Sequence, residues 1–225
     1  MSLTRTLTAF LGALAGLLSG SCGGGGHHPS GTPLLIPIPA TGVSSEGTTL
    51  GNYTEDLVSQ ELYRAIDLAP LAVGDRIDGF AFRLDGGIML PYGDGQSESF
   101  SRYDVRIGPA QANLGGTFAN NFAGPPTLVR SGALAIPASA LTPAPPGPAP
   151  FGAPFLFSTP FTYQGGDLLI EVRSTTPSAY LRIDTMVSPQ TTGESVFAEN
   201  DADAVTATTA VFAHNWALML YVTRP

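Results

Sequence analysis

Few side chains in this sequence are of types that do chemistry, and their spacing decides what each is worth. Asn200-Asp201-Ala202-Asp203 sets two carboxylates and an amide oxygen close together in a predicted loop. Hard oxygen ligands suit Ca²⁺, so Asn200, Asp201 and Asp203 are the metal candidates, with Asp85, Asp94 and Glu98 as a second acidic loop group. Neither group has the spacing of an EF-hand, and the ordinary fate of an acidic loop is solvation. Glu171 and Asp184 fall on predicted strands that a sheet can place side by side. A glycosidase needs such a pair roughly 5 to 9.5 Å apart across a sugar. Arg83, Arg173 and Arg182 are equally placed to neutralise both as cross-strand ion pairs, and that structural reading is preferred. Ser195 sits in Gly193-Glu194-Ser195-Val196-Phe197, which lacks the second glycine of a nucleophile elbow. His214 is the only histidine apart from His27 and His28. No residue is assigned a catalytic role, and no cofactor is assigned. Tyr92, Tyr103, Tyr163, Tyr180 and Trp216 are available for a sugar-binding face and equally suited to a core.

The elements that must position these groups read as strands. Residues 155–173, FLFSTPFTYQGGDLLIEVR, contain two apolar runs around Tyr163-Gln164-Gly165-Gly166-Asp167, whose glycines supply a turn. The second run, Leu168-Leu169-Ile170-Glu171-Val172-Arg173, starts apolar on both faces and then alternates, as a central strand does near the end of a sheet. The sequence therefore predicts a hairpin whose second strand is central.

Other strands follow by period two. In a strand predicted over residues 76–84, Phe80, Phe82 and Leu84 share one face; in another over residues 100–107, Tyr103, Val105 and Ile107 do, with Arg102, Asp104 and Arg106 opposite. Leu34-Leu35-Ile36-Pro37-Ile38-Pro39 is predicted as an edge strand because of its prolines. Residues 48–53, 57–66, 127–137, 179–184, 205–212 and 216–222 complete the predicted set, with a turn at Asp67-Leu68-Ala69-Pro70. The Pro-rich stretch 142–150 is read as a loop within one domain. Many short strands with turn signals between them predict an all-β, two-sheet antiparallel β-sandwich of jelly-roll type.

Composition narrows the class. The chain has 225 residues, of which 27 are Gly and 20 Pro, and only 12% are charged. All ten basic residues are Arg, and the net charge of −8 argues against nucleic acid and anionic membrane surfaces as partners. Hydrophobic residues make up 43%, too many for a disordered chain.

Residues 1–22 read as a secretory leader, with Arg5 before an apolar run over residues 9–18. That run is too short for a membrane span. Leu18-Ser19-Gly20-Ser21-Cys22, followed by four glycines, resembles a bacterial lipobox, although Leu18 lies one residue further from Cys22 than the pattern asks. Cys22, the single cysteine, is the lipidation candidate and excludes an intramolecular disulfide. The alternative is an ordinary signal peptide with an incidental cysteine. Residues 23–33 are read as a flexible tether and residues 34–225 as a single sandwich domain.

Three phrases resemble a group of exported bacterial proteins, common in planctomycetes and among proteins bearing a PEP-CTERM sorting tail. These are Gln60-Glu61-Leu62-Tyr63-Arg64-Ala65, Phe118-Ala119-Asn120-Asn121, and Pro160-Phe161-Thr162-Tyr163-Gln164-Gly165-Gly166-Asp167-Leu168-Leu169-Ile170-Glu171-Val172-Arg173. The likeness covers most of residues 50–175, and the sorting tail is absent. The resemblance implies a β-sandwich and an exported location but no reaction. Taken together, the sequence predicts an exported, lipid-anchored envelope protein of structural or adhesive type, in the outer membrane or periplasm, or else secreted. Its expected partners are a membrane, through the lipid, and a surface glycan or envelope protein. The rival readings are a carbohydrate-binding module, calcium-assisted, and a glycan hydrolase.

Overall fold

The computed structural model describes residues 32–36, 55–84, 97–137, 140, 149–175, 183–187 and 191–225. It is all-β, a sandwich of two antiparallel sheets. In chain order the strands are β1 (Thr32–Ile36), β2 (Leu57–Tyr63), β3 (Arg76–Phe82), β4 (Glu98–Phe100), β5 (Tyr103–Pro109), β6 (Thr127–Arg130), β7 (Leu134–Ile136), β8 (Phe155–Thr162), β9 (Leu168–Ser174), β10 (Thr185–Val187), β11 (Glu194–Glu199), β12 (His214–Trp216) and β13 (Leu218–Thr223). One sheet has the order β1-β13-β3-β8 and the other β11-β2-β9-β5-β6. Short ladders β4-β7 and β10-β12 complete the described strands. Both sheets draw strands from either side of the Pro-rich stretch.

Period two builds the interior. Phe80 and Phe82 of β3, Val105 and Ile107 of β5, Ile170 and Val172 of β9, and Leu218 and Leu220 of β13 belong to one buried cluster. Ring contacts bridge the two layers: Tyr103 of β5 stacks on Phe155 of β8 at 6.2 Å. β1 lies at a sheet edge, as expected of the strand predicted from Leu34, but it begins at Thr32, inside the stretch read as tether.

Four expectations about the strands are corrected. Residues 155–173 do not form a hairpin, because β8 pairs with β3 and β9 pairs with β2 and β5. The turn with Gly165 and Gly166 at positive φ (88° and 77°) carries the chain from one sheet to the other. β9 is nevertheless central, third of five. The strand expected over residues 100–107 breaks at Ser101-Arg102, since β4 pairs with β7 and β5 with β9. Residues 205–212 are not a strand and make only isolated bridges, Thr206 to Thr117 and Phe212 to Ser195. β11 occupies residues that the sequence analysis did not read as a strand.

The last two corrections share a cause. β11 is an edge strand, and unpaired edges invite unwanted pairing. Residues 205–212 cover that edge with side chains as well as backbone. Thr209 Oγ1 accepts from Phe197 N and donates to Phe197 O, while Thr208 Oγ1 accepts from Glu199 N. A β-branched run thus mimics a strand in composition while its hydroxyls take the place of a ladder.

The predicted strand over residues 48–53, most of residues 142–150, and residues 179–182 lie outside the described residues. Among the described residues no helix is long and apolar enough to cross a membrane.

Candidate functional site

The densest set of polar side chains lies on the outer face of the five-stranded sheet. Alternation sends Val58, Gln60 and Leu62 of β2, and Leu169, Glu171 and Arg173 of β9, to that face. Register then aligns Gln60 with Glu171 and Glu171 with Arg106 of β5. Gln60 Nε2 donates to Glu171 Oε2 at 2.8 Å. Arg106 and Arg173 both bond Glu171 Oε1, at 2.6 and 2.8 Å.

Two excursions roof this face. The segment between β5 and β6 brings Leu114, Phe118 and Phe122 onto Val58, Leu62 and Leu169. Within it, a 3₁₀ turn (Phe118–Asn121) aims Asn121 Nδ2 at Gln60 Oε1, 2.8 Å away, and the Phe118 carbonyl receives Gln60 Nε2 at 3.0 Å. The second excursion follows β11, and Arg173 donates to its Ala202 and Ala204 carbonyls. Burial alone would push the Glu171 carboxyl up, but Arg173, Arg106 and Gln60 outweigh it and hold it below the usual range.

The three phrases read from the sequence therefore meet in one network: Gln60 from the first, Phe118 and Asn121 from the second, Glu171 and Arg173 from the third. The first and third also meet at the sheet end. There Asp167 Oδ1 accepts from Ala65 N at 2.8 Å, and Asp167 Oδ2 pairs with Arg64 at 3.1 Å. The sequence analysis singled out these phrases without finding that they touch. The signal was the polar triplet Ser59-Gln60-Glu61 in the middle of a strand that is buried along its whole length.

A second polar group is interior. Glu61 points between the sheets, fully buried, with Ser59 Oγ donating to it at 3.0 Å and Trp216 N at 3.3 Å. No cation is among those partners, and burial pushes its carboxyl well up despite these donors. Nearby, Asn215 Oδ1 accepts from Thr191 Oγ1 at 2.8 Å, and Asp67 accepts from both Thr191 and Thr192. Gly193 is required here, because a Cβ would overlap both Asn215 Oδ1 and the Leu62 carbonyl. Sequence reasoning missed this group entirely. Its members come from four separate segments, and none stands in a recognisable spacing.

The other candidates are dispersed. Glu171 and Asp184 are not brought together: Asp184 forms a buried ion pair with Arg83 at the end of β3, and Glu171 is the two-arginine hub above. Asp203 is exposed and pairs with Arg102 at 2.7 Å, a bond that lowers its pKa. Asp201 Oδ1 accepts from Asp203 N at 2.8 Å, and Asn200 takes a positive φ of 67°. Among the described residues no three acidic, histidine or cysteine side chains gather as a metal centre. Glu98 is buried on β4, while Asp85 and Asp94 lie outside the described residues.

His214, stacked on Phe212, is held neutral by burial, with its pKa lowered to about 4. Ser195 is buried opposite Glu61 in the β11-β2 register. Tyr103, Tyr163 and Trp216 are interior; Tyr92, Tyr180, Cys22 and the His27-His28 pair lie outside the described residues. No family model and no curated protein matches this chain.

Proposed function

We propose that the protein is an exported β-sandwich held at the cell envelope by a lipid on Cys22, where it serves a structural or adhesive role. The observation that carries the reading is the leader pattern. Arg5, an apolar run and a single cysteine followed by four glycines stand before the first strand. The ion pairs support the structural half: Glu171, Asp184 and Asp203, the acids best placed for chemistry, each hold an arginine. The strand orders β1-β13-β3-β8 and β2-β9-β5-β6, with β11 added at the edge, support the jelly-roll form of the sandwich. The resemblance to exported planctomycete and PEP-CTERM-associated proteins belongs to the same proposal.

The test is metabolic labelling with palmitate, followed by membrane fractionation of wild type and Cys22→Ser. The proposal expects label and membrane association in wild type and neither in the variant. Equal membrane association of both would remove the lipid anchor.

One observation favours a second reading, a carbohydrate-binding module. Phe212, which stacks with Phe197 and with His214, keeps 39% of its surface exposed, an apolar surface that a sugar ring can contact. A glycan array with and without calcium separates the readings, and binding abolished by Phe212→Ala would favour the module.

A further inference from the structure

We propose that Thr191 and Asn215 become joined by an intramolecular ester, formed when the Thr191 hydroxyl displaces ammonia from the Asn215 side-chain amide. The proposal stands apart from the envelope reading and rests on the interior polar group alone.

The reacting atoms are already adjacent. Thr191 Oγ1 is 2.8 Å from Asn215 Oδ1. With a C=O bond of about 1.2 Å, the amide carbon lies at most about 4 Å from the hydroxyl, close to near-attack range. Both residues are buried, at 3% and 0% exposure. The amide is fixed by Nδ2 donating to the Leu62 carbonyl at 3.0 Å and the Glu194 carbonyl at 3.2 Å. Gly193 leaves room for this approach, and its N–H donates to Thr191 Oγ1 at 3.0 Å.

One carboxyl lies beside the hydroxyl and a second beside the amide nitrogen. Asp67 Oδ2 is 3.2 Å from Thr191 Oγ1 and is positioned by the N–H and hydroxyl of Thr192. Glu61 Oε2 is 3.5 Å from Asn215 Nδ2, the leaving nitrogen. Burial raises the Glu61 pKa and so favours the protonated form, which is the form that can donate there.

The step balances without a co-reactant. Asp67 takes the hydroxyl proton as the Thr191 Oγ1–Asn215 Cγ bond forms. The Asn215 Cγ–Nδ2 bond breaks, Glu61 gives its proton to the departing nitrogen, and ammonia leaves. Loss of the proton from Asp67 and uptake of one by Glu61 then return both carboxyls to their starting states, with no net proton consumed. The chain has no lysine for a side-chain amide crosslink and a single cysteine, so neither that link nor an intramolecular disulfide is open to it. Residues 191 and 215 bracket β11 and the excursion that covers its edge, so the bond would clamp this edge strand in place.

The test is the mass of the C-terminal tryptic peptide, residues 183–225, prepared from the folded full-length chain. It contains both residues, because Arg224 precedes Pro225. In wild type and Thr191→Ser it is expected to be lighter by one ammonia and to lack backbone fragments between the two sites. In Thr191→Val it is expected at full mass. Alkali should open the wild-type link and leave a carboxylate in place of the Asn215 amide. Asp67→Asn and Glu61→Gln, with unchanged circular dichroism, are expected to remain mostly at full mass. A wild-type peptide at full mass overturns the proposal. So does ammonia loss that persists in Thr191→Val, which marks a succinimide at Asn215-Trp216. Wild-type crosslinking in both acid variants overturns the roles given to Asp67 and Glu61.

Discussion

Asn121 Nδ2 donates to Gln60 Oε1 across 2.8 Å, joining a 3₁₀ turn in the roof to the strand beneath it from 61 residues away. Gln60 passes the contact on to Glu171, and Glu171 to Arg106 and Arg173. A chain of polar contacts thus holds the roof on the five-stranded sheet, where Leu169, Val58 and Leu62 complete the seal with apolar area. A half-satisfied buried network is costly, so each member constrains the others.

Glu171→Gln is expected to destabilise the fold by about 3 kcal/mol, because it leaves Arg106 and Arg173 close together without their shared carboxylate. The sign in pH follows from its lowered pKa. The stability Glu171 supplies is present above its ordinary value of 4.5 and is lost as pH falls through the folded value. Denaturant titrations at stepped pH should show the variant losing this acid-side slope.

Glu61 acts in the opposite direction. Its folded pKa is raised, so its contribution is complete below its ordinary 4.5 and declines as pH climbs through the folded value. Measured against its own stability in acid, Glu61→Gln should lose less than wild type as pH rises into the alkaline range. Melting temperatures measured across the range check this, and parallel curves would contradict it.

His214 loses stability on the acid side. Its pKa falls from 6.5 to about 4, so its stabilising share is full above 6.5 and disappears toward 4, up to about 3 kcal/mol in all. Its ring protons in an NMR titration should shift near pH 4. A midpoint near 6.5 would contradict its burial against Phe212.

Gly193→Ala is expected to destabilise the fold by several kcal/mol, since the added Cβ overlaps backbone at Leu62 as well as Asn215. Ser195→Ala is the contrast. The buried Ser195 Oγ has no hydrogen-bond partner among the described residues, so the variant should be neutral or slightly stabilising in a thermal melt.

The sandwich was legible because period two is a local signal: Phe80, Phe82 and Leu84, or Tyr103, Val105 and Ile107, declare their shared face without tertiary help. β9 was legible as central because its opening residues, Leu168-Leu169-Ile170, are apolar on both faces. Which sheet β8 joins was not, because a Gly-Gly turn serves a hairpin and a crossing between layers equally well. Residues 205–212 misled through their threonines, which cap an edge where composition suggested a strand. The interior group of Glu61, Asp67, Thr191 and Asn215 was invisible, since its contacts span 24 to 154 residues of sequence.

The central structural claim is that the side chains suited to chemistry on the roofed face serve as joints between layers. A double-mutant cycle on Gln60→Ala and Asn121→Ala, read by denaturant unfolding, tests it most directly. The predicted result is a coupling energy of about 1 kcal/mol or more, with each single variant destabilised by about 1–3 kcal/mol. Strictly additive effects would contradict the claim, as would single variants as stable as wild type.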